Sequence, residues 1–244
     1  MQTIIPTPNR QLIGHRGVAG LRPENTYTSF RYAAELGLNW IEFDVTLTAD
    51  DFWIVMHDAN LERTTTGQGL VRDYTLLELS KFEAGLWFRP AYPNEPIPTL
   101  YGTLQLAQEL NLFCNIELKN TEDDPIKNAN LISDFIIKNH NLVHEHILLS
   151  SFDLDCLIAV RARLPETPIG YLIEEFTPDT IEIAQKNNFN TINCDVVKMT
   201  LNDLNEAKSA NIPVFLYTIN DRVTSSLWLN KGITAIFTDR PDLL

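Results

Sequence analysis

Short apolar runs alternate with amphipathic stretches almost from end to end of this chain. Nine runs read as strands: 11–17, 40–45, 53–58, 111–118, 146–152, 168–173, 191–196, 213–219 and 233–239. Seven segments between them carry helical periodicity: 25–36, 99–110, 125–140, 153–164, 178–188, 200–210 and 221–231. Asp153, Thr177 and Thr200 stand where helix N-caps belong. Strands joined through helices run parallel, because the chain must cross back before pairing again. Repeated this often, the pattern leaves a (β/α)8 barrel or a doubly wound open sheet.

Nine strands are one too many for a barrel. The apolar arms around the second and third, WIEFDVTLT (40–48) and FWIVMHD (52–58), are however separated only by ADD (49–51), far too short for a parallel crossover. They are expected to form an antiparallel hairpin, which leaves eight barrel strands and returns His57 to the end where the second strand finishes. Residues 59–98 carry Gly, Pro and aromatics but no clean strand–helix unit. They read as an inserted subdomain above the strand ends, forming a wall of a pocket. The expected architecture is an α/β (β/α)8 TIM barrel over 1–244, a single domain with a small insertion after the second-strand hairpin.

Composition narrows the partners. With 32 acidic against 19 basic residues, the formal net charge is −13. A nucleic-acid surface or an anionic-membrane patch needs clustered Lys and Arg, so neither is expected. The three cysteines, Cys114, Cys156 and Cys194, match no zinc or redox spacing and suggest a reducing compartment; two of them lie in apolar runs and read as buried thiols. The opening MQTIIPTPNRQLIGHRG has no signal-peptide pattern, and no apolar run reaches membrane-spanning length. A cytoplasmic protein is expected.

Polar residues gather where a barrel keeps its chemistry. His15 and Arg16 end the first strand. Glu42 and Asp44 share one face of the second, since side chains two apart point the same way. Glu117 and Lys119 repeat that spacing at the end of the next barrel strand, and His57 ends the hairpin arm. All are expected at the carboxyl ends of strands, the catalytic face of such barrels. Three convergent carboxylates repel one another unless positive charge lies between them. A hard divalent cation, Mg²⁺ or Ca²⁺, suits oxygen ligands. The alternative is a buried ion network of Glu42, Asp44 and Glu117 with Arg16 and Lys119, which desolvation makes expensive. Two histidines across one site suit one general base and one general acid. His140, His144 and His146 read as solvated loop residues, and the acidic run 122–124 as a solvated face.

The motifs HRG (15–17), RPENT (22–26), IEFDV (41–45), HDANLERTTTGQG (57–69), NIELK (115–119), SSF (150–152), LYTIN (216–220) and FTD (237–239) occur in order. By them the chain resembles the glycerophosphodiester phosphodiesterase family, especially its small cytosolic bacterial members. The resemblance implies a (β/α)8 barrel and divalent-metal-dependent cleavage of glycerophosphodiesters to glycerol 3-phosphate and an alcohol. It implies that Glu42, Asp44 and Glu117 hold the metal, that His15 and His57 are the acid/base pair, and that Arg16 and Lys119 bind phosphate. Tyr217 stands where many members carry Trp and would be an aromatic wall of the substrate pocket. Glu24 and Asn25 would orient the first-strand loop. The family mechanism implies attack of the glycerol 2-hydroxyl on phosphorus, loss of the alcohol, and opening of a cyclic phosphate by water. Two other functions share the frame. Cleavage of lysophospholipids would need an apolar channel, for which Leu86, Trp87, Phe88 and Tyr92 are candidates. A non-catalytic phosphodiester-binding barrel would lack a histidine or a metal carboxylate, and none is lost here.

Overall fold

The computed structural model describes residues 12–119, 124–143 and 146–244. Residues 1–11 of the N-terminal stretch read for targeting, Glu122, Asp123 and His144 lie outside the described residues. Nine strands form: β1 (Leu12–Gly14), β2 (Trp40–Leu47), β3 (Trp53–Val55), β4 (Phe113–Leu118), β5 (Ile147–Ser151), β6 (Ile169–Ile173), β7 (Thr191–Asp195), β8 (Val214–Tyr217) and β9 (Ala235–Thr238). Eight of them pair in parallel in the order β1-β2-β4-β5-β6-β7-β8-β9, and β9 pairs with β1 to close the barrel. The ninth, β3, runs antiparallel to β2, with Val45 opposite Val55 and Leu47 opposite Trp53. The chain is a (β/α)8 barrel with one hairpin arm outside the ring.

Helices follow the strands: α1 (Tyr27–Glu35) after β1, and α2 (Leu76–Leu79) and α3 (Leu100–Leu110) after the hairpin. Then come α4 (Pro125–Lys138) and α5 (His140–Val143) after β4, α6 (Leu154–Arg163), α7 (Thr180–Lys186), α8 (Leu201–Ser209) and α9 (Arg222–Asn230). Asp153 caps α6 by accepting from the Cys156 N–H, and Thr200 forms a capping box with Asp203 on α8. Thr177 is not the cap expected of it. The N-cap of α7 is Asp179, and the Thr177 hydroxyl donates to the Asp179 carboxylate instead of capping the helix. Asp124, the described member of the acidic run, caps α4 through the Ile126 N–H. His140 is exposed, whereas His146 packs edge-on against Phe113 instead of facing solvent, its ring centroid at 4.6 Å.

The alternation along β2 and β4 explains how the barrel is filled. Ile41, Phe43 and Val45 on β2 and Cys114, Ile116 and Leu118 on β4 belong to the core shared with the helices. Trp40 and Phe113 belong to a second core with Ile13, Leu148, Phe215, Ala235 and Phe237. Their rings stack at 5.1 Å. Period-two geometry therefore gives β2 one row of Trp40, Glu42, Asp44 and β4 one row of Phe113, Asn115, Glu117. These rows lie in register, with Glu42 opposite Asn115 and Asp44 opposite Glu117. An apolar floor passes into carboxylates as each strand rises.

Residues 59–98 build a small core of their own. Leu61, Val71, Leu79, Ala84 and Ile97 bury against Ile54 and Met56 of the hairpin arm. Glu95 reaches from there to α1, where its carboxylate accepts from the Thr28 N–H at 3.0 Å and from the Thr28 hydroxyl.

Candidate active site

A cavity of about 170 Å³ opens at the carboxyl ends of the barrel strands. His15, Arg16, Glu42, His57, Asn115, Glu117 and Lys119 line one side, and Phe152, Leu172, Tyr217, Thr218 and Phe237 the other. Seven of the eight residues singled out in the sequence line it, and the eighth, Asp44, lies within the carboxylate cluster beside it. No lining residue comes from 59–98, so the expected pocket wall is absent. The insertion's aromatics turn to one another instead, Trp87 against Phe88 and Phe88 against Tyr92. None of them lines the cavity.

The local backbone aims the first two residues. After β1 the chain turns sharply, with Arg16 at φ 49° and Gly17 at φ 86°. A side chain at 17 would also strike Ser29, since a Cβ there would sit 2.4 Å from its hydroxyl oxygen. The turn delivers the Arg16 N–H to Glu42 Oε2 at 2.9 Å. Asn25, also left-handed at φ 56°, donates its amide to Asp44 Oδ2 at 2.8 Å.

Glu42, Asp44 and Glu117 each offer an oxygen within 4.8 Å of the others. Lys119 Nζ lies 3.2 Å from Asp44 Oδ1 and 2.5 Å from Glu117 Oε1, and Arg16 Nε lies 3.4 Å from Asp44 Oδ2. The ion network weighed from the sequence thus exists, but it is lopsided. Asp44 holds both cations, while Glu42 Oε1 is buried with no hydrogen-bond partner. The titration behaviour follows. Burial and the neighbouring Asp44 push Glu42 up to about 8, and burial and Asp44 also raise Glu117. Burial would raise Asp44 too, but Lys119 and Arg16 outweigh it and hold that carboxyl far below its usual range. An orphaned buried carboxylate oxygen beside two further carboxylates fits a hard divalent cation.

Each histidine is gripped by a carboxylate. His15 Nδ1 lies 2.7 Å from Asp239 Oδ1, and His57 Nδ1 lies 2.7 Å from Asp58 Oδ1. Burial would raise Asp239, but the His15 hydrogen bond outweighs it and lowers the carboxyl; the Arg63 hydrogen bond takes Asp58 down to about 2. Both are therefore acceptors at neutral pH. Each imidazole carries its proton on Nδ1 and keeps Nε2 for other partners. His15 Nε2 stands 3.9 Å from Glu42 Oε2. Burial pulls His15 down, but the Asp239 hydrogen bond and the Glu42 charge raise it, whereas burial lowers His57. Asn220 completes the first pair, donating to Asp239 Oδ2 at 2.7 Å and accepting from the Asp239 N–H at 2.8 Å. Asp58, Asp239, Asn220 and Arg63 went unread as site residues. The one local signal was Asp58, adjacent to His57; Asp239 and Asn220 lie in the FTD and LYTIN motifs.

On the opposite side Phe152 and Tyr217 meet edge-on, centroids 6.1 Å apart. The Tyr217 hydroxyl donates to the Ile173 carbonyl at 2.8 Å, which fixes the ring. One half of the cavity is thus charged and the other aromatic.

Residues 15–243 match the glycerophosphoryl diester phosphodiesterase family. The chain is 31% identical over 240 residues to the glycerophosphodiester phosphodiesterase of Caldanaerobacter subterraneus subsp. tengcongensis, covering 96% of this chain and 95% of that one. It is 30% identical over 256 residues to the glycerophosphodiester phosphodiesterase of Bacillus subtilis, covering 97% and 86%. Among solved structures, an Oleispira antarctica phosphodiesterase in complex with the product sn-glycerol-3-phosphate matches with a TM-score of 0.89 at 29% identity. The match covers 98% of this chain and 95% of that one.

Proposed function

The chain belongs to the glycerophosphoryl diester phosphodiesterase family, and on that premise we propose a two-histidine, metal-dependent hydrolysis of small glycerophosphodiesters at the barrel mouth. The enzyme type is a glycerophosphodiester phosphodiesterase, a phosphoric diester hydrolase. Substrates such as glycerophosphocholine and glycerophosphoethanolamine would yield glycerol 3-phosphate and the free alcohol. The observation that carries this reading is the pair of carboxylate-gripped histidines lining one cavity beside three convergent carboxylates.

Glu42, Asp44 and Glu117 would hold one Mg²⁺ or Ca²⁺. When bound, such an ion supplies positive charge against the phosphoryl oxygens as negative charge builds on them. Arg16 and Lys119 bind the same phosphate from the protein side and are already held in place by Asp44. The family mechanism implies the glycerol 2-hydroxyl as nucleophile, and a cavity lining without serine or cysteine is compatible with it. One imidazole Nε2 takes the proton of that hydroxyl while the other gives a proton to the departing alcohol oxygen. The roles reverse as water opens the cyclic phosphate, which returns both imidazoles to their starting states. Tyr217 and Phe152 pack against the carbon face of the substrate. Among the described residues no helix is long and apolar enough to cross a membrane. The substrate is small and water-soluble and the setting cytoplasmic, as the resemblance to small cytosolic members implies. The barrel with its 59–98 insertion acts as one catalytic domain.

The test is a diester whose glycerol lacks the 2-hydroxyl. It should bind and inhibit but release no alcohol, while the parent diester passes through a cyclic phosphate visible by ³¹P NMR. Turnover of the deoxy substrate at the parent rate would rule out the internal nucleophile.

A further inference from the structure

Arg63 lies in the insertion, outside the cavity lining, yet its guanidinium grips two carboxylates at once. Nε and Nη2 donate to Asp58 at 2.6 and 2.9 Å. Nη1 and Nη2 donate to Glu24 at 2.8 Å each. Asp58 in turn holds His57 Nδ1, and Glu24 Oε1 also accepts from Arg16 Nη1 at 2.8 Å. A continuous chain of charge-assisted contacts therefore runs from His57 through Asp58, Arg63 and Glu24 to Arg16. The two ends belong to different elements: His57 follows the hairpin arm, and Arg16 follows β1.

The Arg63 side chain is 44% exposed. Solvent screens the pairs at the Arg63 end, although Glu24 itself is 9% exposed. What a planar fork with two bidentate partners does supply is fixed geometry, because each carboxylate is pinned in distance and in plane. The insertion meets the same β1–α1 segment a second time, where Glu95 accepts from Thr28. We propose that Arg63 is a positioning residue which sets the acid/base group His57 and the phosphate-binding Arg16 in register with each other. The insertion thereby acts on catalysis through the back of the site instead of through its wall. This inference rests on the function proposed above.

The cut through the chain can be made at each link. Arg63→Ala is expected to lower kcat and raise KM together, with kcat/KM down on the order of 10²-fold, as for a reacting group displaced by about 1 Å. Asp58→Asn should mainly lower kcat, and Glu24→Gln should mainly raise KM. Arg63→Lys keeps the charge but cannot hold two carboxylates bidentately, so it should behave as Arg63→Ala does. Guanidinium ion added at millimolar levels should restore part of the Arg63→Ala rate and none of the Asp58→Asn rate. Wild-type kcat and KM in Arg63→Lys, or no guanidinium rescue of a folded Arg63→Ala, would overturn the proposal. An arm independent of turnover is the His57 Nδ1 proton in ¹H–¹⁵N spectra. It should be lost in both Arg63 variants and kept in Arg163→Ala, which breaks contacts with Asp134 and Asn130 on the outer helix α4, away from the site. Its persistence in the Arg63 variants would count against the proposal. A wild type that releases nothing from any glycerophosphodiester would instead defeat the proposed function, and the spectra would still judge Arg63.

Discussion

Glu42 and Asp44 stand two residues apart on one strand and titrate in opposite directions, because both site cations went to Asp44. That asymmetry separates the roles of neighbouring side chains. Asp44→Asn should destabilise the fold by roughly 3–5 kcal/mol, since it removes the charge that Arg16 and Lys119 face in a buried setting. Denaturant unfolding of the metal-free variant measures this, and an unchanged midpoint would contradict it. His15→Ala and His57→Ala should each lower kcat by about 10²- to 10⁴-fold while leaving the thermal midpoint nearly unmoved. Near wild-type turnover in both would remove them as acid and base. These residues were legible because each ends a strand or repeats an i, i+2 spacing. Their holders were less so: Asn25 was read as orienting the first-strand loop, but not as the partner of Asp44. His15 and Asp239 are separated by 224 positions and Asn25 and Asp44 by 19, so no local pattern announces the contact. Arg63 stood in the HDANLERTTTGQG motif, but its contact with Glu24, 39 positions away, has no local signature.

At the scale of the element, β2 carries the site on an apolar base. Trp40 is 2% exposed and stacks on Phe113 directly beneath the row of carboxylates. Trp40→Ala should cost about 3–5 kcal/mol of stability by opening a cavity under Glu42, measured by denaturant unfolding. A loss far below that range would mean the floor is not packed as described. The strand–helix alternation located all nine strands and the seven outer helices, because each element buries one face and its apolar period survives in the sequence. The exceptions have local causes. β2 runs past the barrel core at 45 to Leu47, because its last residues pair with β3 in the expected hairpin. The role of 59–98 was misread because its place beside His57 suggested a pocket wall, whereas its aromatics pack among themselves.

For the whole molecule, the buried carboxylates make stability depend on pH and on metal. In the metal-free protein Glu42 titrates at about 8, against 4.5 for its unperturbed value. The folded state then binds more protons than the unfolded chain between those values, so this group's contribution to stability falls as pH rises through that window. Glu42→Gln should remove the fall. Its thermal midpoint relative to wild type should therefore improve steadily from pH 4.5 to about 8, and a difference independent of pH would contradict the assignment. Bound metal should reverse the wild type's loss at high pH, because it favours the ionised carboxylate. The most direct test of the central claim is the release of glycerol 3-phosphate from glycerophosphocholine by the purified protein, first with a chelator and then with Mg²⁺ or Ca²⁺ restored. Release that stops with chelator and returns with metal is the predicted result. Release that continues undiminished through exhaustive chelation would contradict a metal-dependent site at Glu42, Asp44 and Glu117, and no release with either metal would contradict the proposed reaction itself.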